Sequence, residues 1–323
     1  MAAMLRVAAL VALSTVAIAQ NVAEPEIVRA AKSPYDLARY LETHSDFEWA
    51  PLWQALGAAN PSSVEPCVTD SAKQARCSTE VIGLLNPDQA IVVVQGELGV
   101  VELYLRFLQQ PDGAWKFAGA YGASIKNRDP MHQVMRLGGR PFLKVAIQSP
   151  NFRGPSIVPE PNEKEVWFDL TARDFEPVFS FPTDADQDVN PDGITRHVSA
   201  VPHVEGADAI DLMLTVDFDF FGVQLGSEEF LGRYDRHAGE KDFSLRSAQV
   251  VSGGATMPVQ DFLDLSDILF QPGVERMLVY ALPGLKELAG GMRNEAKEEL
   301  RLMLAKCKDT PEKRTLLALL GEK

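Results

Sequence analysis

The run from Ile210 to Phe221 constrains the fold more than any other stretch of the sequence. All its even positions from Ile210 to Phe220 are apolar, while three of the odd positions between them are aspartates: Asp211, Asp217 and Asp219. Such strict alternation predicts a β-strand with one buried face and one acidic, solvent-facing side. A shift of one residue would bury three aspartates, so this strand sets the register of its neighbours.

Other segments predict that antiparallel strands surround this one. Residues 91–94, 100–107 and 115–121 are typical of a three-stranded meander, and residues 132–137 and 141–148 of a hairpin. Beyond residue 165, strand-like segments recur at short intervals, which favours a sandwich or an open sheet. They are Val166–Leu170, Phe175–Phe181, Thr195–Val201, Ile210–Phe220, Phe230–Asp235 and Phe243–Val250.

Helical patterns occupy both ends of the chain. Ser33-Pro34 and Thr310-Pro311 each place a capping hydroxyl before a proline in the first helical position. The predicted helices cover residues 34–42, 46–57, 259–265, 274–280, 283–289, 293–306 and 311–320. The predicted fold class is α+β, mainly antiparallel β in two parts, with N-terminal helices and a C-terminal helical segment.

The same patterns suggest a division into domains. Residues 151–164 are rich in proline and glycine and lack apolar periodicity, so the boundary between two domains is expected there. The prediction is a signal peptide over 1–19, an α+β domain over 20–150 and a β-rich domain over 151–255. Residues 256–323 would form a helical segment packed on the β-rich domain.

The first 19 residues predict export. Arg6 is followed by an apolar run and then by Ala17-Ile18-Ala19, the pattern of a secretory signal peptide cleaved before Gln20. The uninterrupted apolar run is shorter than the roughly 20 residues that a membrane span needs. We therefore expect a secreted or periplasmic protein with no membrane span.

The charge of the chain limits its partners. Removal of residues 1–19, whose only charged side chain is Arg6, leaves 304 of the 323 residues and changes the formal net charge from −14 to −15. Such an acidic surface repels phosphate backbones. Nucleic acid is therefore not an expected partner.

The three cysteines fit an oxidising compartment. Cys67 and Cys77 bracket a polar loop, and two cysteines ten residues apart in an exported protein predict a disulfide worth about 2–3 kcal/mol. Cys307 lies at helical spacing from Leu300, Met303 and Leu304. It is expected to be a buried small hydrophobe.

Residues 184–193, here called the acidic run, carry the one recognisable chemical proposal. Oxygen-bearing side chains occupy its alternate positions, and Gly193 closes it: the candidate ligands are Asp184, Asp186, Asp188, Asn190 and Asp192. Calcium takes six to eight oxygen ligands in proteins. Residues 188–193 match the first six positions of the EF-hand loop, but Ser199 stands where the twelfth-position glutamate belongs.

Two interpretations of the acidic run stay open. In the first interpretation, the run binds calcium with a dissociation constant on the order of 10⁻⁴–10⁻³ M, as in extracellular modules. Alternatively, it is the empty tip of a hairpin, because Asn190-Pro191-Asp192-Gly193 suits a type I turn between two strands.

Asp217 and Asp219 suggest a further chemistry. Alternate positions on a strand lie about 7 Å apart, within the carboxyl separation of inverting glycosidases. The usual hydrolase, nucleotide-binding and thiol-redox motifs are missing from the sequence.

For the whole chain, the first interpretation is a non-enzymatic binding or scaffold module for a protein or glycan. The alternative is an extracytoplasmic glycan hydrolase that uses carboxylates of the second sheet.

Overall fold

A computed structural model describes residues 24–44, 48–61, 77–83, 87–96, 101–124, 132–148, 163–188, 194–220, 223–266 and 274–321. Within these ranges the strands form two sheets, one of four strands and one of eight, and all their pairings are antiparallel. Helices precede the first sheet and follow the second. The predicted α+β class, mainly antiparallel β, is confirmed.

Three short helices begin the described chain: α1 (Glu26–Ala30), α2 (Pro34–Thr43) and α3 (Trp49–Leu56). The hydroxyl of Ser33 accepts a hydrogen bond from the backbone N–H of Asp36, which caps α2 where the sequence predicted it. The apolar faces of these helices pack on the four-stranded sheet.

The four-stranded sheet is a meander of β1 (Cys77–Gly83), β2 (Gln89–Gly96), β3 (Val101–Gln109) and β4 (Trp115–Ser124). The sequence predicted three of these strands and placed Cys77 at the end of a loop. That prediction missed β1, because this edge strand is polar at Ser78, Thr79 and Glu80 and shows little apolar alternation.

The eight-stranded sheet is also a meander in chain order, with β5 and β12 at its edges. Its strands are β5 (His132–Leu137), β6 (Arg140–Gln148), β7 (Glu163–Asp169), β8 (Phe179–Asp188), β9 (Ile194–Val204), β10 (Ala209–Phe220), β11 (Val223–Asp235) and β12 (Ser244–Val250). Strand β8 begins four residues later than predicted and takes in the first half of the acidic run.

The alternation in β10 has the predicted consequence. Its apolar positions from Ile210 to Phe218 are buried, and Leu214 lies opposite Ala200 on β9 and Phe230 on β11. This buried side faces the C-terminal helices α4 (Val259–Ser266), α5 (Val274–Ala289), α6 (Asn294–Lys306) and α7 (Pro311–Leu319). None of the helices described has the length and apolar character that crossing a bilayer requires.

Helix α5 corrects one prediction. The sequence suggested two helices, at 274–280 and 283–289, but a single helix continues through Pro283. Pro283 lies on the exposed side of α5, where water can satisfy the carbonyl that loses its helical hydrogen bond. The next residue, Gly284, lets α5 contact β11, since a Cβ there would overlap the carbonyl oxygen of Leu225.

The two sheets pack on each other through a third apolar cluster. Val93 and Tyr104 of the four-stranded sheet contact the side of β6 and β7 that carries Val145, Val166 and Phe168. The break between the sheets lies between Ser124 and His132, whereas the predicted domain boundary falls mostly on residues outside the described ranges. The domain division therefore stays a prediction.

Candidate functional site

Within the described residues, the four-stranded sheet covers β5 to β7 of the eight-stranded sheet. Further along, the same side of the eight-stranded sheet carries Asp184 on β8, His197 on β9, Asp217 and Asp219 on β10, and Arg233 on β11. We call this part the open face. Its side chains are partly or largely exposed to solvent.

The acidic run joins this open face. Asp184, Asp186 and Asp188 belong to β8, and so they follow a strand rather than a curled loop. The last described pair of the hairpin is Asp188 with Thr195. Asn190 and Asp192 lie outside the described residues, so the calcium interpretation of the run stays a prediction.

The strand register brings Asp217 and Asp219 beside the acidic run. Asp186 lies opposite His197, which lies opposite Asp217. The next row pairs Asp188 with Thr195, and Thr195 with Asp219. Residues distant in sequence therefore form two adjacent rows that run across β8, β9 and β10. Each row has an aspartate on β8 and another on β10.

Hydrogen bonds and ion pairs position the described members of these rows. The Nδ1 atom of His197 lies 3.6 Å from Oδ1 of Asp184, and the hydroxyl of Ser227 on β11 donates a hydrogen bond to Asp217. At the end of β10 a β-bulge between Phe218 and Asp219 shifts the register with β11. Bulges redirect side chains near the ends of strands.

A cavity of about 320 Å³ opens at this end of the sheet. It is lined by His197, Asp217, Phe218, Asp219 and Gln224. Among the side chains that the structure describes, no three His, Cys, Asp or Glu residues lie together as a metal site. The described part of the open face thus brings carboxylates and an imidazole to one side of the sheet.

A second cluster of polar residues is buried where the two sheets meet. Glu102 is only 1% exposed, and its carboxylate accepts a hydrogen bond from the hydroxyl of Tyr104. The Tyr104 ring contacts the edge of the His132 ring at 5.8 Å between centroids. His132 Nε2 lies 3.6 Å from the carboxylate of Glu80.

Burial shifts the acid–base equilibria of this cluster. It raises the pKa of Glu102 above its ordinary value of 4.5, although the hydrogen bond from Tyr104 acts in the opposite direction. It lowers the pKa of His132 below its ordinary value of 6.5, against the attraction of Glu80. Burial also raises the pKa of Tyr104 and that of Tyr121 to about 12. Uncharged forms are favoured because the cluster is desolvated.

Arg106 joins the sheets beyond this cluster. It is buried, and its guanidinium donates to the carbonyls of Leu170 and Ala172 at 2.8 Å and of Asp174 at 3.2 Å. These carbonyls belong to the turn after β7. Arg106 therefore fastens β3 to the eight-stranded sheet.

Arg236 organises a cleft of about 480 Å³ at the end of the sheet where β7, β9 and β11 finish. Its guanidinium donates to Asp169 at 2.8 Å and to Asp208 at 3.1 Å. Burial alone would raise the pKa of Asp169, but hydrogen bonds from Thr171 and Arg236 bring it below the ordinary value. The side chains are paired with each other, so this network holds the connecting turns together.

Sequence reasoning identified the solvent-facing side of β10, which belongs to the open face, and missed the buried cluster. Glu102, Tyr104 and Arg106 alternate with apolar residues on β3, a pattern that ordinarily marks a solvent-facing side. The covering sheet buries them instead. The alternation of polar residues on β3 therefore gave no sign in the sequence that these side chains are buried.

The cysteines are partly described. Cys77 is buried at the start of β1. Its predicted partner, Cys67, lies outside the described residues, so the pairing stays a prediction. Cys307 is buried, as the sequence predicted, and its thiol donates a hydrogen bond to the carbonyl of Met303.

Comparisons with known proteins add little to this picture. No protein-family model matches the chain, and no curated protein matches it. Among solved structures, the chain aligns with a GH32 beta-fructofuranosidase from Bombyx mori with a TM-score of 0.20, and with a mutant of that enzyme in complex with sucrose with a TM-score of 0.19. Each alignment has 10% identity and covers 56% of this chain and 63% of that chain. Such low similarity carries no argument about function.

Proposed function

We propose that this chain is an exported, non-enzymatic binding module whose ligand meets the open face of the eight-stranded sheet. The observation that carries the proposal is the pair of cross-strand rows that brings Asp217 and Asp219 beside the acidic run. A rigid sheet holds these residues at fixed spacing, and preorganised donors reduce the ordering cost of binding.

The ligand chemistry that suits this surface is a cation. Asp184, Asp217 and Asp219 supply carboxylate oxygens, and calcium prefers such oxygens. We propose Asp186, Asp188, Asn190 and Asp192 as the remaining donors. Since the ligands come partly from two strands and not from one loop, we expect weak binding, with a dissociation constant on the order of 10⁻⁴–10⁻³ M.

Calcium-dependent melting tests this proposal. At a calcium concentration about ten times the dissociation constant, the folded state gains about 1.4 kcal/mol, which raises Tm by about 2–4 °C. The double variant Asp217→Asn with Asp219→Asn should lose most of this rise. It keeps the size of both side chains and leaves the acidic run intact.

A matched control removes the same amount of charge elsewhere. Glu287 on α5 and Glu299 on α6 are exposed, so Glu287→Gln with Glu299→Gln should retain the wild-type response to calcium. A wild-type Tm that calcium does not move, or equal shifts in both double variants, would overturn the assignment of calcium to the open face.

One observation favours the hydrolase alternative. Asp217 and Asp219 both line the 320 Å³ cavity with His197, and carboxylates at alternate strand positions fall within the spacing of inverting enzymes. The test is turnover of soluble glycans by the purified protein, measured as new reducing ends. Turnover that Asp219→Asn abolishes would establish the enzyme, whereas no turnover by wild type would leave the binding module as the proposal.

Export rests on residues 1–19, which lie outside the described residues. N-terminal sequencing of the chain recovered from the medium or the periplasm tests it. We expect Gln20 as the first residue, and a chain that retains residues 1–19 inside the cell would contradict export.

A further inference from the structure

We propose that the packing of the two sheets is a pH-sensitive hinge, in which the end that holds Glu102 and His132 opens while the end that holds Arg106 stays closed. The proposal concerns the covered part of the eight-stranded sheet and does not depend on the function of the open face. We call the region of contact that includes Glu102, Tyr104, Arg106, His132 and Phe168 the junction.

The junction has two chemically different ends. Glu102, Tyr104 and Arg106 occupy alternate positions of β3, and all three are buried on the side that faces the second sheet. At one end Tyr104 contacts the ring of His132 of β5 and donates a hydrogen bond to Glu102. Apolar side chains, among them Phe168, fill the contact between the sheets.

The Arg106 end keeps its charge when the pH changes. The side chain donates to three carbonyls of the turn after β7 and to Gln89 of β2. Burial lowers the pKa of Arg106, and the carboxylates of Asp169, Asp174 and Asp88 counteract this. Arginine remains protonated at any pH at which proteins are studied. These hydrogen bonds therefore persist and provide a pivot.

The other end can gain or lose protons. Within the described ranges, His132 lies beside Glu80 of β1 and Tyr104 of β3. Glu102 of β3 and Tyr121 of β4 interact with Tyr104 and complete the titratable groups of this cluster. Strands β2, β6 and β7 contribute Val93, Val145 and Val166 to the same contact. None of these described groups is a lysine or arginine that could pair with an ionised Glu102, and the described carboxylate beside His132 is that of the largely exposed Glu80.

Opening has opposite pH dependence at the two residues. The closed state disfavours a charged imidazole, so lowering the pH below 6.5, where His132 takes up a proton once hydrated, favours opening. The closed state also disfavours an ionised Glu102, so raising the pH above 4.5, where a hydrated Glu102 loses its proton, favours opening. Between pH 4.5 and 6.5 the two effects oppose each other, because closing removes a proton from His132 and adds one to Glu102.

Single variants separate the two effects. In Glu102→Gln the amide can still accept the hydrogen bond from Tyr104, and only His132 titrates. The equilibrium constant for opening should then rise about tenfold per pH unit as the pH falls below 6.5, until the pKa of the closed state is reached. In His132→Phe only Glu102 titrates, and opening should rise as the pH increases from 4.5.

Hydrogen–deuterium exchange, corrected for the intrinsic pH dependence of amide exchange, measures this opening. We expect the pH-dependent change in residues 101–109 and 132–148, while residues 209–220 of β10 report global unfolding and stay protected. Wild type should show a flatter profile than either variant between pH 4.5 and 6.5. His237→Gln, which changes an exposed histidine, should match wild type.

Two results would overturn the hinge. One is the same pH profile in Glu102→Gln, His132→Phe and wild type, and the other is simultaneous loss of protection at the junction and in β10. If a variant does not fold, titration of the His132 ring by NMR in wild type decides. A His132 pKa below 6.5 supports the hinge, and one at or above 6.5 contradicts it.

Discussion

His132 and His197 lie on the same side of the same sheet, and each has a carboxylate at 3.6 Å, yet their surroundings differ. The His132 side chain is 8% exposed beside Glu80, and the His197 side chain is 43% exposed beside Asp184. The covering four-stranded sheet causes this difference. Similar side chains therefore serve packing in one region and remain accessible to a ligand in the other.

The two regions differ in chemistry because the four-stranded sheet covers one of them and leaves the other accessible. Where the four-stranded sheet covers β5 to β7, Tyr104 donates a hydrogen bond to Glu102 within the junction. Arg106 donates hydrogen bonds to nearby backbone carbonyls. On the open face Asp217 and Asp219 line a cavity that solvent reaches. A buried polar group costs free energy unless it has a partner, whereas an exposed carboxylate can exchange water for a ligand.

The largest predicted difference between the regions is in stability. Phe168 is buried in the junction, stacked on Phe175 and in edge contact with Tyr121, so Phe168→Ala should lower the free energy of unfolding by about 3–5 kcal/mol. Val201, on the open face, is 56% exposed, and Val201→Ala should change it by less than about 0.5 kcal/mol. Urea denaturation measures both. Equal effects would mean that the junction is not a packed interface.

The next prediction concerns the pivot of the hinge. Arg106→Met leaves the carbonyls of Leu170, Ala172 and Asp174 without their donor and should cost about 2–4 kcal/mol in urea denaturation. Arg106→Lys keeps the charge but not the planar fork, so we expect an intermediate loss. A wild-type urea midpoint for Arg106→Met would show that these hydrogen bonds do not fasten the sheets.

The predicted disulfide provides a smaller, local contribution to the four-stranded sheet. Cys67→Ala with Cys77→Ala should lower the free energy of unfolding by about 2–3 kcal/mol. Cys307→Ala serves as the control for removing a buried sulfur. Non-reducing mass spectrometry should recover a peptide pair that joins Cys67 to Cys77, and free thiols at both positions would refute the pairing.

The sequence predicts the parts of this fold that depend on local pattern. The alternation in β10 gave its buried and acidic sides, and the cap at Ser33 gave the start of α2. The same alternation gave Asp217 and Asp219 as members of one solvent-facing side, whereas their position across β9 from the acidic run follows from the strand pairing.

The parts that sequence reasoning missed depend on contacts between elements. Glu102 and Arg106 look solvent-facing on β3, and only the packing of one sheet on the other buries them. Strand β1 lacks alternation because it is a polar edge strand, held by its pairing with β2. Helix α5 continues through Pro283 because the proline is on its exposed side.

Calcium-dependent hydrogen–deuterium exchange tests most directly the claim that ligand binding belongs to the open face. We predict that millimolar calcium increases protection in residues 179–188, 194–204 and 209–220 of wild type, with little change at the junction in residues 101–109 and 132–148. The double variant Asp217→Asn with Asp219→Asn should lose this increase. Protection that rises at the junction instead, or equally in wild type and the double variant, would contradict the account.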